Sequence, residues 1–447
     1  MKRYLYIIIG IVVAAVIVIL VLFLIKNRAA GPSLVTSGTG SLPAANTQGI
    51  GGSSSTGSES SGSGTLGLAV ITGSSTAAAS GQMTPQKFGV LSNNPVLTYF
   101  VDPHNNITAI EPTGEIFTIS NGQSTIVNSS TINDIISASF SYDGKKILVN
   151  YGASSNPQSG VFDLAANTWT SLPQGMTSPQ WSPVSNYQIA YLVTTNNGKL
   201  ALATIDASNL KAAPSVLLSL NANDIALQWP TKSEFILSDR PTSKSLGSVW
   251  AFNSLTGTFS PVLYEVSGAE STWSNNVAFP YGLLFSTTNG GNSLRLQALS
   301  GPLPIESLTF ATLPSKCTFN TELMPIATST TATSSTSTTT STATSSTKKA
   351  TTPAKAAPTS TPYLALYCGI PRSSSGFSSA HLPDDYNMMA LFTSDNLYKV
   401  NTETGVIQPL WNSPTQNMDV SDLKFFNNAL FFVNRYDNKL YGLTFAN

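Results

Sequence analysis

The fold of this chain is decided by a pattern that first appears as Ala138-Ser-Phe-Ser-Tyr-Asp-Gly-Lys-Lys-Ile-Leu-Val149. It returns as Pro179-Gln-Trp-Ser-Pro-Val-Ser-Asn-Tyr-Gln-Ile-Ala-Tyr-Leu-Val193. Both stretches place an aromatic residue before a short polar turn and an apolar run after it. Apolar runs that flank turn residues such as Asp-Gly are typical of two antiparallel strands joined as a hairpin.

Further copies of the pattern begin at Leu227, Ser271 and Leu423. Their aromatic residues, which we predict to pack between neighbouring sheets rather than to stack on a ligand, are Phe140, Trp181, Trp229, Trp273 and Phe425. The first four are separated by 41, 48 and 44 residues. A period of about 40–50 residues is that of a four-stranded propeller blade. One such sheet cannot bury both faces alone, whereas a ring of sheets can.

The pattern resembles the WD40-like β-propeller repeats of the TolB type, most closely in Phe140-Ser-Tyr-Asp-Gly144 and Trp181-Ser-Pro183. The resemblance covers most of residues 85–447 and implies a propeller lid or a binding scaffold, often in the bacterial envelope. It transfers no catalytic residue. We therefore expect an all-β fold, a β-propeller of four-stranded blades over residues 85–447.

The number of blades follows from the spacing of the repeats. Units begin near residues 85, 135, 177, 225, 269, 317 and 414, which favours seven blades. Six blades are the alternative, because the stretch from 286 to 385 is poorly patterned. The last unit, Met418–Asn447, has room for only three strands, so an amino-terminal strand, for which Leu66–Ile71 is the candidate, is expected to complete it.

The amino terminus contains an apolar stretch, Tyr4–Ile25, of 22 residues without a charge. At about 1.5 Å per residue a helix of this length crosses a hydrocarbon core of about 30 Å. The alternative is a cleavable signal peptide, whose apolar region is usually shorter. We therefore expect residues 4–25 to be a transmembrane anchor in the lipid bilayer. The amino terminus would be cytoplasmic and the remainder extracytoplasmic, either periplasmic or at the cell surface.

Two segments have compositions that do not support a packed core. Residues 31–84 contain 12 Gly and 13 Ser with a single charge, as flexible linkers do. Residues 328–361 contain 23 Ser or Thr among 34 and are expected to form a disordered insertion. An O-glycosylated stalk is the alternative for the insertion.

Composition excludes several functional classes. Lys+Arg and Asp+Glu both number 22, so no basic surface is expected to bind nucleic acid. Two histidines and two cysteines are too few for a Cys/His metal framework, and no phosphate-binding loop or G-x-S-x-G nucleophile motif is present. No cofactor, metal site or catalytic residue is predicted. Cys317 and Cys368 flank the insertion and are expected to form a disulfide at its base, with two free, buried thiols as the alternative.

These observations together lead to a functional hypothesis. The chain is expected to be a non-catalytic scaffold that binds a protein or polysaccharide of the cell envelope. The alternative is a carbohydrate-active enzyme, such as a glycoside hydrolase or a lyase, with paired carboxylates in the propeller funnel. A purely structural spacer is the third reading.

Overall fold

The computed structural model describes residues 83–184, 187–276, 278–288, 291–299, 307–323, 362–412 and 415–446. The predicted anchor (4–25), residues 31–82 of the linker, the candidate strand Leu66–Ile71 and the Ser/Thr-rich insertion lie outside these ranges. None of the helices formed by the described residues has the length and apolar character needed to cross a bilayer.

The described residues are almost entirely β-strand, as predicted. The first strand is β1 (Pro85–Val90). Blade 1 contains β2 (Thr98–Val101), β3 (Ile107–Ile110), β4 (Ile116–Ser120) and β5 (Gln123–Asn128). Blade 2 contains β6 (Ile135–Phe140), β7 (Lys146–Tyr151), β8 (Gln158–Asp163) and β9 (Thr168–Ser171). Blade 3 contains β10 (Met176–Trp181), β11 (Gln188–Thr194), β12 (Leu200–Asp206) and β13 (Ser215–Leu220).

The remaining strands continue in the same order. Blade 4 contains β14 (Ile225–Gln228), β15 (Glu234–Asp239), β16 (Leu246–Asn253) and the first part of β17 (Thr258–Trp273). Blade 5 contains the end of β17, β18 (Tyr281–Thr288), β19 (Gly291–Ala298) and β20 (Ser307–Leu308). Blade 6 contains β21 (Cys317–Leu323), β22 (Pro362–Pro371), β23 (Asp395–Asn401) and β24 (Ile407–Trp411). Blade 7 contains β25 (Val420–Phe426), β26 (Ala429–Asn434), β27 (Lys439–Phe445) and β1.

The few helical elements lie in blade 6 and its connections. They are a 3-10 turn (Pro314–Lys316) and the short helices α1 (Ser374–Ser379) and α2 (Asp384–Asn387). Every strand pair among the described residues is antiparallel. Paired strands are also neighbours in sequence, except for β1 and β27. The described residues therefore form seven units, the number favoured by the repeat spacing: five are separate four-stranded sheets, while blades 4 and 5 share β17 and make one seven-stranded sheet.

The hairpin turns use the residues that the sequence pattern indicated. Gly144 adopts φ +71°, which an L side chain rarely adopts. A Cβ atom at this position would lie 2.2 Å from the ring of Phe100 in blade 1. The Asp-Gly turn of blade 2 therefore needs glycine both for its backbone conformation and for its close contact with the neighbouring blade.

The seven units form a ring in which the first strand of each blade is innermost. The strands β2, β6, β10 and β14 contact one another in this order, and β21 contacts both β17 and β25. Gln228 of blade 4 donates a hydrogen bond to the carbonyl of Ser271 in blade 5 (2.8 Å). The ring closes where Lys424 of blade 7 donates to the carbonyl of Tyr99 in blade 1 (2.6 Å). This arrangement is a β-propeller with the first strands around a central channel.

Ring closure uses an amino-terminal strand, although a different one from the candidate. Pro85–Val90 pairs with β27 and becomes the outer strand of blade 7. Phe88 of β1 stacks on Trp411 of blade 6 with ring centroids 4.5 Å apart. Residues near 85 thus complete the last blade instead of beginning the first, which begins at Thr98. The physical reason is that β27 would otherwise present an unpaired edge.

Candidate functional site: the lower cavity of the propeller

The first strands give the propeller two distinct faces. The end of the propeller at which the first strands terminate is called the lower face. It includes the turns at 141–145 and 427–428. The opposite end, where they begin, is the upper face. It carries the loop at 242–244 and the long connection from β22 to β23, residues 372–394, which we call the upper loop. Strands β21 and β22 end and begin on the lower face, at Leu323 and Pro362.

A cavity of about 920 Å³ opens at the lower face. Five blades contribute to its wall through their first strands or the turns that follow them. Its principal aromatic lining residues are Phe100, Phe140, Tyr142, Trp273, Phe319, Phe425 and Phe426. Its principal polar lining residues are Thr98, Ser139, Asp143, Ser274, Asn275, Thr318, Asn320, Asp422 and Lys424. Volumes of about 300–1,000 Å³ are typical of ligand sites.

Most of these rings are half-buried, with part of the side chain packed in the fold and part accessible in the cavity. Phe140 and Phe100 lie 6.0 Å apart between blades 2 and 1. Phe425 stacks on Tyr367 of blade 6 at 4.5 Å. Tyr142 differs, because 60% of it is exposed. It also lines a second cavity of about 260 Å³ together with Asn275, Asn276 and Asn320.

The two carboxylates of the cavity are both engaged. Asp422 accepts a hydrogen bond from Thr98 (2.9 Å) and lies 3.1 Å from the ammonium group of Lys424. Asp143 accepts hydrogen bonds from Tyr187 and Ser141, each at 2.8 Å. Burial raises the pKa of Asp143, but these hydrogen bonds lower it by a larger amount. The pKa of Asp143 is therefore below the usual range. Asp143 is therefore an ionised acceptor at neutral pH and not a general acid.

The five aromatic residues singled out by the repeat occupy two kinds of position. Trp181 is buried in the core between blades 2 and 3, and Trp229 is buried between blades 3 and 4, where it stacks on Phe235 at 4.9 Å. Phe140, Trp273 and Phe425 are half-buried and line the cavity. The sequence pattern alone could not separate the two groups, because all five residues occupy similar places near the ends of first strands.

The structure forms the predicted disulfide between Cys317 and Cys368. The two residues are direct partners on β21 and β22 and are buried in the core between blades 5 and 6. The bond does not lie at the base of the insertion. The insertion leaves at the opposite end of this hairpin, where Leu323 pairs with Pro362. The disulfide therefore joins β21 and β22 covalently close to the upper face.

The upper face contains a buried ionic cluster that sequence reasoning missed. Lys316 is fully buried and binds Asp395 (2.7 Å) and Asp419, while Arg435 binds Asp419 (2.8 Å). Burial lowers the pKa of Lys316, but the negative charges of Asp395 and Asp419 outweigh it and hold this pKa above the usual range. The cluster is electrically balanced, with two cations and two carboxylates. It packs blades 6 and 7 together and offers no open site.

The upper loop crosses the upper face from blade 6. Asp384 accepts three hydrogen bonds from blade 4, one from Thr242 (3.0 Å) and two from Ser243 (2.7 and 3.0 Å). Tyr386 donates to the carbonyl of Val420 in blade 7 (3.2 Å). The side chains of Phe377 and Leu382 are buried beneath the loop. The large accessible cavity thus lies at the face opposite to this loop.

Comparisons with known proteins find similar solved structures but no matching family. No known protein family matches the sequence, and no curated protein is significantly similar to it. Among solved structures, it is similar to the propeller domain of the Trilobed protease from Pyrococcus furiosus (10% identity, TM-score 0.43, covering 78% of this chain and 97% of that one). It is also similar to TolB from Acinetobacter baumannii (19% identity, TM-score 0.34, covering 46% and 52%). The chain thus spans about half the length of TolB.

A third similar structure is a catalytically inactive virginiamycin B lyase from Staphylococcus aureus (9% identity, TM-score 0.46, covering 81% of this chain and 99% of that one). The expectation of a non-catalytic protein is corrected by these similarities, since propellers of peptidases and a lyase are among the similar structures. The fold therefore does not exclude catalysis. The likeness concerns the fold alone and assigns no activity to this chain.

Proposed function

We propose that this protein is a membrane-anchored β-propeller outside the cytoplasm that binds a component of the cell envelope in its lower cavity. The observation that carries the proposal is the cavity of about 920 Å³, whose wall contains half-buried aromatic rings from several blades. A passive spacer has no need of such a cavity. Concave sites with aromatic walls and a few convergent polar groups are typical of ligand recognition.

The location outside the cytoplasm is supported by two independent features. Tyr4–Ile25 has the length and apolar character of a membrane anchor. The bond between Cys317 and Cys368 belongs to an oxidising compartment, because cytosolic thiols are kept reduced. Strand β1 begins at Pro85, which pairs with Phe445 at the lower face. Strand β1 therefore begins on the same face as the cavity.

Binding is tested by filling the mouth of the cavity. Asn275 is exposed at the mouth, so Asn275→Trp places a large side chain there without disturbing the core. The matched control is Asn223→Trp, at an exposed position before β14 that does not line the cavity. Full-length protein in detergent is immobilised through a carboxy-terminal tag, detergent-solubilised envelope material of its source cells is passed over it, and the retained material is measured, so that the anchor cannot itself cause retention. We expect Asn275→Trp to lose most of the retention and the control to keep it; equal retention by both variants contradicts the proposal.

Location is tested separately. A reporter enzyme that is active only outside the cytoplasm is fused after Asn447, and thiols are labelled with and without reductant in intact cells. An active reporter, with labelling of Cys317 and Cys368 only after reduction, is expected. An inactive reporter with freely labelled thiols contradicts the extracytoplasmic location.

A further inference from the structure

We propose that the ligand of the lower cavity is a neutral oligosaccharide, whose sugar rings stack on Tyr142 and Trp273 and whose hydroxyl groups bind Asn275 and Asn320. The inference rests on the proposed function and names the chemical class of ligand that this site takes. It is carried by three features of the cavity: accessible aromatic faces, free amide groups and balanced charge.

The first feature is the exposure of aromatic rings. A pyranose ring has a face of C–H groups that carry partial positive charge, and these are attracted to the electron-rich face of an aromatic ring. Trp273 is fixed within blade 5: its Nε1 donates to Ser271 (3.1 Å), and it packs so closely on Gly282 that a Cβ atom there would lie 2.6 Å from it. Tyr142 stands 60% exposed between the two cavities. One ring is therefore rigid within the wall, and the other is accessible at the mouth.

The second feature is a set of amide groups beside these rings. Asn276 is already occupied, because it binds Thr321 (2.5 Å) and accepts from the backbone of Ala278 (2.8 Å). Among the described residues, the side chains of Asn275 and Asn320 make no hydrogen bond, yet both line the two cavities. A carboxamide offers donors and an acceptor together. A sugar hydroxyl likewise donates and accepts, so neighbouring hydroxyl groups match an amide.

The third feature is electrostatic. The carboxylate of Asp422 is paired with Lys424, and that of Asp143 lies 3.5 Å from the ammonium group of Lys145. The whole chain also carries equal numbers of acidic and basic residues. A strongly charged polymer is selected by a field of opposite sign, whereas each carboxylate that lines this site has an ammonium group beside it. The balance favours a neutral sugar over a charged polymer or a basic peptide.

The site is also large enough for more than one sugar ring. The principal cavity of about 920 Å³ is at the upper end of the range for small-molecule sites. The second cavity of about 260 Å³ continues from it past Tyr142 and Asn275. A chain of linked sugars can therefore occupy both, with Tyr142 between neighbouring rings.

Titration with defined sugars tests the inference. The full-length protein is kept in a detergent without a sugar headgroup, because alkyl glycosides would compete for the site. The probes are cellotetraose, chitotetraose, maltotetraose and mannotetraose, and binding is followed by calorimetry and by tryptophan fluorescence. We expect at least one tetrasaccharide to bind. Tyr142→Ala should weaken it by about five- to tenfold, as the loss of a ring contact does.

Three variants make the result specific. Tyr142→Phe keeps the ring and should bind nearly as well as the original chain. Asn320→Ala should weaken binding by removing the amide. Tyr264→Ala removes a tyrosine of similar exposure (64%) on blade 4, outside the cavity, and should have no effect. Sugar binding that is equal in the Tyr142→Ala and Tyr264→Ala variants overturns the assigned site.

A peptide probe separates the inference from the proposed function. Soluble tryptic peptides from envelope proteins are titrated in parallel with the sugars. If these peptides bind and Asn275→Trp abolishes the binding, while no tetrasaccharide binds, the sugar assignment is wrong and the binding function stands. If sugars, peptides and the envelope fraction all fail to bind, both proposals are wrong.

Discussion

Lys316 shows how strongly a single residue can determine the stability of this propeller. It is fully buried against Asp395 and Asp419, so its removal leaves two buried carboxylates whose only cationic partner among the described residues is Arg435. Breaking a buried ion pair from one side typically costs about 3–5 kcal/mol. We expect Lys316→Met to lower the free energy of unfolding by about that amount, measured by urea denaturation.

The control for this prediction is Lys145→Met. Lys145 is 69% exposed beside Asp143, and exposed pairs contribute about 0–1 kcal/mol. The double variant Lys316→Met/Asp395→Asn should recover part of the loss, because it removes one of the uncompensated charges. A loss in Lys316→Met no larger than that of the control contradicts the role of the cluster.

Glu270 provides a pH-dependent prediction at the same scale. One of its carboxylate oxygens accepts from the backbone of Ser315 (3.0 Å), while the other is buried without a partner among the described residues. Burial raises the pKa of Glu270. The folded protein therefore binds this proton more tightly than the unfolded chain. Its stability falls as the pH rises from about 4.3, the pKa of a free glutamate, through the raised folded value.

Replacing Glu270 with Gln removes the charge and should reverse this loss. We expect Glu270→Gln to raise the thermal unfolding temperature at pH 7.5, with the gain shrinking as the pH approaches 4. Glu265→Gln, at an exposed position of β17, is the control and should change little at either pH. A pH-independent effect of Glu270→Gln would show that its charge does not matter.

Among the elements, strand β17 joins two blades without a loop between them. Its first residues pair with β16 and its last residues with β18, so a single strand of 16 residues belongs to two blades. The register shifts between Ser267 and Glu270, where the strand passes from one blade to the next. The unit predicted to begin near residue 269 does begin within this strand, whereas the poorly patterned stretch from 286 to 385 lies after it and contains the Ser/Thr-rich insertion and part of the upper loop.

The upper loop is a second element with a testable attachment. Although burial raises the pKa of Asp384, its hydrogen bonds with Ser243 and Thr242 lower it below the usual range. We expect Asp384→Ala to increase hydrogen exchange in residues 372–394 by about 10- to 100-fold, since hydrogen bonds to charged groups contribute about 1.5–3 kcal/mol. Exchange in blade 1 should remain unchanged and serves as the internal control.

The same attachment should depend on pH. Since the pKa of Asp384 is lowered in the folded state, its contribution is present above about pH 3.9 and is lost as the pH falls through the folded value. Exchange in the upper loop of the original chain should therefore approach that of Asp384→Ala under acidic conditions. Equal exchange in the two proteins at neutral pH would contradict the attachment.

For the whole molecule, closure of the ring depends on β1. Phe88 is buried between Trp411 and Tyr441, with ring centroids 4.5 and 5.7 Å away. Truncation of a buried phenylalanine typically costs about 3–5 kcal/mol. We expect Phe88→Ala to lower the free energy of unfolding by about that amount, measured by urea denaturation. Phe259→Ala, at a position 44% exposed on blade 4, should cost much less, and equal losses would contradict the closing role of β1.

The all-β character, the blade period and the disulfide could be predicted from the sequence because each has a local signal. Strand patterning and turn residues repeat along the chain, and a propeller uses mostly neighbouring strands. The cavity could not be predicted from such signals. Phe140 and Trp181 have the same place in the repeat, yet the first lines the cavity and the second is buried between blades.

Tertiary structure decided what depends on residues distant in sequence. Lys316 meets Asp419 across 103 residues, and Thr98 meets Asp422 across 324. Neither pair lies within a repeat, so no periodic pattern indicates it. The sequence by itself determined the blades, because each blade is a local unit. Only ring closure decided which strand completes blade 7 and which side chains line the cavity, because both require blades from opposite ends of the chain to meet.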